Sequence, residues 1–69
     1  MKFKYYNDTG RTVNVHPATF SHGCKGSNVP IANGEERLFI LPNNTYPWVK
    51  MWDHGGNDGL YILISTFKD

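Results

Sequence analysis

Apolar residues in this chain fall in short runs and alternate with polar ones, a period-two pattern that predicts strands rather than helices. In Trp48-Val49-Lys50-Met51-Trp52 the alternation places Trp48, Lys50 and Trp52 on one face and Val49 and Met51 on the other. The segment Asp53-His54-Gly55-Gly56-Asn57-Asp58-Gly59 follows, rich in residues that reach positive φ, and then a second apolar run, Leu60-Tyr61-Ile62-Leu63-Ile64. Together they predict a hairpin over residues 46–67. Upstream, the pattern predicts a strand over 2–7, a turn at Asp8-Thr9-Gly10, and a strand over 11–16 with Val13 and Val15 inward. A long irregular loop runs from Pro17 to Ser27, with a short strand near 28–32. A turn at Asn33-Gly34, a strand over 35–41 and a turn at Pro42-Asn43-Asn44-Thr45 complete the reading. Four prolines, seven glycines and seven asparagines leave no room for a helix of ordinary length. The expected fold is a single all-β domain over 1–69, an antiparallel β-sandwich or partly open barrel of about five to six strands.

Two of these strands read as apolar on both faces. Leu38 and Ile40 oppose Phe39 and Leu41, while Leu60, Ile62 and Ile64 oppose Tyr61 and Leu63. An antiparallel strand with one wet face alternates instead. A chain of 69 residues is near the size at which one core is only marginally stabilising. The expectation is a homo-oligomer, a twofold dimer being the commonest form. The competing reading folds the 17–30 loop over one of those faces.

Composition narrows the function. Cys24 is the sole cysteine, so no intrachain disulfide exists and nothing indicates an oxidising compartment. Met1-Lys2-Phe3-Lys4-Tyr5-Tyr6-Asn7 has no apolar signal-peptide core, and no apolar run approaches the roughly 20 residues that span a bilayer. A cytoplasmic location and no membrane partner are expected. A formal charge of +1 offers no basic face for duplex nucleic acid.

His16, His22, Cys24 and His54 suffice in number for a tetrahedral zinc site, but His22-Gly23-Cys24 has a one-residue gap and the other two are isolated. No metal and no cofactor is expected. Glu35 and Glu36 are adjacent, so a strand sends them to opposite faces, and Asp53 and Asp58 suit bonding to turn amides. No nucleophile, base and charge stabiliser come together, so no catalytic residue and no enzyme is expected. The loop Ser21-His22-Gly23-Cys24-Lys25-Gly26-Ser27 has the composition of a backbone-amide nest for an anion, without the P-loop's Gly-Lys-Ser/Thr ending, and equally suits a flexible loop. Joined to Arg11, Arg37, Lys25 and Lys50 as cations and Tyr46, Trp48 and Trp52 as stacking surfaces, it supplies the parts of a site for a nucleotide-like anion. The indoles also suit a hydrophobic core with Lys50 reaching out at the rim.

Tyr5-Tyr6-Asn7-Asp8-Thr9-Gly10-Arg11-Thr12-Val13, then Ile31-Ala32-Asn33-Gly34, then Trp48, Asp53 and Asp58-Gly59-Leu60 follow an order that resembles the β domain of the von Hippel–Lindau family. The likeness spans about residues 5–64, mostly at turn and strand positions, and implies a two-sheet β-sandwich. It also implies a peptide-binding role for Trp48, whose counterpart in that family helps line a hydroxyproline-peptide pocket. One residue is inserted between Trp48 and Asp53 relative to the family pattern. The pocket's histidine and serine have no clear counterparts here, and no stretch of these 69 residues corresponds to the family's helical domain.

The expected function is therefore non-enzymatic binding or sequestration of a small nucleotide-like ligand, in the manner of phage or mobile-element proteins that capture a host signalling nucleotide. The alternatives are a peptide- or protein-binding module on the tryptophan face, and carbohydrate binding on the same indoles.

Overall fold

A computed structural model describes residues 1–21, 23–55 and 59–68, the side chain of Lys68 excepted. The elements are β1 (Lys2–Tyr6), β2 (Val13–Val15), α1 (Ala18–Ser21), β3 (Glu36–Ile40), β4 (Thr45–Asp53) and β5 (Leu60–Lys68). The chain is thus all-β apart from one helical turn, with two sheets and no closed barrel among the described residues. β1 pairs antiparallel with β3, Phe3 facing Phe39. The second sheet has the order β2-β5-β4.

The hairpin forms over Thr45–Asp53 and Leu60–Lys68, close to the range the alternation predicts. Two expectations need correction. β2 runs parallel, not antiparallel, to β5, with Val13 facing Leu60 and Val15 facing Ile62. A parallel pair needs a long crossover, and the whole segment from His16 to Gly59 supplies it. The strand expected near 28–32 is reduced to one bridge, Ile31 to Val13. The 17–27 loop also contains the single turn of α1, too short to leave a helical period in the sequence.

Both sheets contribute to one core. Val13, Ile31, Phe39, Ile62 and Ile64 are fully enclosed, with Val15, Cys24 and Leu41 beside them. Phe3 and Tyr5 of β1 pack against that cluster, as do Phe20 and Leu60. Burying each of the large apolar side chains stabilises the fold by about 1.5–3 kcal/mol before entropy is counted.

Polar side chains complete the ladders where the short strands stop. Asn7 is fully buried, and its Nδ2 donates to the carbonyls of Arg11 (2.7 Å) and Ile31 (2.9 Å). Its Oδ1 accepts from the Thr9 amide and hydroxyl, and its main chain bonds Glu35 and Gly34. One residue, through its side chain and its main chain together, therefore ties the first turn to the Asn33-Gly34 turn, where Gly34 takes φ 84°. Where β2 ends, the Ile64 amide donates to Thr19 Oγ1 (3.1 Å), and the Cys24 thiol donates to the Ile64 carbonyl (3.7 Å). Thr19 is itself fully buried. The turn of α1 thus does what two more residues of β2 would have done.

Candidate functional site

Register decides which side chains share a surface. In the β4–β5 ladder Tyr46 faces Phe67, Trp48 faces Ser65, Lys50 faces Leu63 and Trp52 faces Tyr61. Facing residues of an antiparallel pair project to the same side of the sheet. Their neighbours, Ile62 and Ile64, are fully buried, so these four pairs form the outer face. In β2, Asn14 stands beside Tyr61 and extends that face by one strand.

Two aromatic groups occupy it. Trp48 meets Phe67 edge to face, with centroids 6.1 Å apart at 83°. Trp48 remains 44% exposed, and Tyr46 and Phe67 are each 54% exposed. Four residues further along, about 13 Å at the strand rise, Trp52 stacks on Tyr61 at 6.0 Å and 17°. His16 and His54 flank the same indole at 5.6 and 5.8 Å, and Lys50 Nζ lies 6.0 Å from its centroid. The Trp52 indole N–H donates to His54 Nε2, and His16 Nδ1 accepts from the Ala18 amide at 3.0 Å. Trp52 is half-buried by this company, whereas Trp48 offers open ring surface. Neither indole belongs to the fully buried core.

Tyr46, Trp48, Lys50 and Trp52 therefore come together as the alternation requires; the remaining cations do not join them. Arg11 grips Asp53, its Nη1 2.6 Å from Oδ2. Arg37 pairs with Glu35 at 2.7 Å and donates to the carbonyls of Ser27, Val29 and Pro30, pinning the 27–30 loop. Lys25 bridges Ile40 on the other sheet. It lines a depression of about 350 Å³ with Gly23, Ile40, Leu41, Pro42 and Asn43, which lacks any aromatic ring. The amides of Gly23 and Lys25 donate to the carbonyls of Phe20 and Ile40, so two donors of the expected anion nest are already engaged. His22 lies outside the described residues, as does Asp58 with the middle of the last turn.

The electrostatics follow these pairings. The Arg11 hydrogen bond, aided by the Gly55 amide, holds the Asp53 carboxyl below its ordinary range, and Asp53 in turn raises Arg11. The Arg37 hydrogen bond, with the Ala32 amide, does the same for Glu35. Burial pushes the Cys24 thiol up, away from the thiolate that metal binding or nucleophilic attack requires. Among the described residues no three histidine, cysteine, aspartate or glutamate side chains are grouped to hold a metal ion.

His16, His54, Tyr61 and Phe67 belong to the site although the sequence reading did not select them. Tyr61 and Phe67 carried a usable signal, since a hairpin register applied to β5 sets them opposite Trp52 and Tyr46. His16 carried none, because it arrives through the non-local β2–β5 pairing. What the surface offers chemically is ring stacking at Trp48, a cation at Lys50 and imidazoles beside Trp52. Comparison with protein-family models, curated proteins and solved structures returns no match to this chain.

Proposed function

We propose that this chain is a non-enzymatic binding protein, a small β-sandwich acting as an oligomer, that captures a nucleotide-like ligand on the outer face of β4 and β5. The observation that carries the reading is the position of Lys50, with its ammonium 6.0 Å from the Trp52 centroid on the face that also exposes Trp48. A base stacked on an aromatic ring gains about 1–3 kcal/mol. An ammonium two residues along the same face supplies a point charge for a phosphate. Arg11 and Arg37 hold carboxylates of their own, so in this reading Lys50 is the cation that meets the anion. Sequestration is the role that suits such a surface.

Titration calorimetry against mono-, di- and cyclic nucleotides tests this directly. Binding that weakens about tenfold or more in Trp48→Ala, and weakens in Lys50→Ala with a reduced salt dependence, supports it. Full affinity in both variants rejects it.

A second reading, a peptide- or protein-binding face, is favoured by the contiguous exposure of Tyr46, Trp48 and Phe67. In that case the aromatic residues dominate as hot spots and salt has little effect. Oligosaccharides belong in the same titration, because the indoles also suit a sugar ring.

A further inference from the structure

The outer edge of β4 has a definite hydrogen-bonding pattern. The ladder with β5 continues one step past Asp53, where the His54 amide donates to the Gly59 carbonyl at 3.0 Å. Amides alternate in direction along an antiparallel strand. Those of Trp52, Lys50, Trp48 and Tyr46 therefore also point to β5. Those of Thr45, Val49, Met51 and Asp53 point the other way. Pro47 falls in this second set, where its missing N–H costs no bond to β5, so the placement agrees independently. β4 is the last strand of its sheet, and among the described residues no strand pairs with its far side. Val49 and Met51 are 39% and 38% exposed.

We propose that the occupant of this edge is a second copy of the chain, with β4 pairing antiparallel to the partner's β4 about a twofold axis at Val49. Three features select that register. Val49 is the midpoint of Thr45–Asp53, so only this axis pairs the strand along its full length. It also sets Val49 against the partner's Val49, Met51 against the partner's Pro47 and Asp53 against the partner's Thr45. On the outer face it puts Lys50 beside the partner's Trp48, and Trp52 beside the partner's Tyr46, as cation–π and aromatic neighbours. Moving the axis to Lys50 shortens the overlap and sets lysine against lysine. Each facing pair of outward residues exchanges two hydrogen bonds, less those Pro47 cannot donate. The product is one six-stranded sheet in the order β2-β5-β4-β4-β5-β2, carrying both copies' tryptophans on a continuous face. This deepens the oligomeric part of the function proposed above and requires nothing of its ligand.

Val49→Cys tests the axis. Facing Cα atoms in a hydrogen-bonded antiparallel pair are about 5.5 Å apart, within the span of a disulfide. Under mild oxidation Val49→Cys is expected to form a covalent dimer at least tenfold faster than Leu38→Cys, an exposed control on the other sheet. Wild-type protein is expected to sediment as a dimer at micromolar concentration. Val49→Pro, which removes an outward amide and no hydrogen bond to β5, is expected to sediment as a monomer with an unchanged β spectrum. A wild-type monomer, or crosslinking no faster at Val49 than at Leu38, overturns the pairing. If Val49→Pro fails to fold, the crosslinking comparison decides alone. Nucleotide titration of the crosslinked dimer separates the two proposals: crosslinking without binding rejects the ligand and leaves the pairing, and binding by a strict monomer does the reverse.

Discussion

Trp52 and Tyr61 face one another across the β4–β5 ladder with their rings 6.0 Å apart and 17° from parallel, whereas Trp48, four residues away on the same face, meets the edge of Phe67. The two indoles therefore differ in what they contribute. Trp52→Ala loses a stacked pair, its histidine contacts and half-buried area. It should cost about 1–2 kcal/mol more than Trp48→Ala in urea unfolding. Trp52→Phe, leaving Trp48 as sole tryptophan, should give red-shifted indole fluorescence readily quenched by iodide. Trp48→Phe should be bluer and better protected. Equal quenching in the two variants would contradict the arrangement.

Asn7 should be a stronger determinant of stability than either indole. Its Nδ2 serves two carbonyls while its Oδ1 serves Thr9, all at a fully buried position. Asn7→Ala strands those groups, each at about 1–3 kcal/mol if no water reaches it. Asn7→Asp should be at least as damaging at neutral pH, because a carboxylate oxygen then faces the Arg11 and Ile31 carbonyls. Thermal unfolding of both variants checks this. An Asn7→Asp variant as stable as wild type would show that the buried donor is unimportant.

Local patterns were legible and remote ones were not. The Trp48–Trp52 and Leu60–Ile64 runs alternate around a turn-rich segment, so the hairpin and the shared face of Tyr46, Trp48, Lys50 and Trp52 follow from period alone. Asn7 read as the last residue of the first strand because nothing local shows that the Ile31 carbonyl comes to its side chain. Arg37 looked available for an anion because its acceptors, the carbonyls of Ser27, Val29 and Pro30, are main-chain atoms of a loop with no sequence signature. Arg11 looked available because Asp53 lies forty-two residues away. The parallel β2–β5 pair was hidden for the same reason: its partners meet only through a crossover of most of the chain.

Thr19 gives a test of the completed ladder. Its Oγ1 accepts from the Ile64 amide at a position that is fully buried. Thr19→Val preserves shape but leaves that amide unpaired, at about 1–3 kcal/mol. Thr19→Ser keeps the acceptor and should recover most of the loss, apart from a small methyl cavity. Native-state hydrogen exchange should show faster exchange at Ile64 in Thr19→Val than in Thr19→Ser. Equal protection in the two would assign the role of Thr19 to packing.

Acid stability should depend on Asp53 and Glu35. Hydrogen bonds from Arg11 and Arg37 hold these carboxyls below their ordinary values of 3.8 and 4.5 in the native state. Unfolding releases them to those ordinary values, so the unfolded chain binds more protons in the window between, and stability rises with pH across it. The contribution is complete above about pH 4.5. It is lost as pH falls through the lowered native values. Both pairs are partly solvent-exposed, so salt should reduce the effect. The wild-type melting temperature should therefore drop on acidification below about pH 4.5, and drop less at high salt. Asp53→Asn and Glu35→Gln should each be less stable than wild type at pH 7, with the gap closing toward pH 2. A gap that stays constant over that range would show that the charge on these carboxylates contributes nothing to the fold.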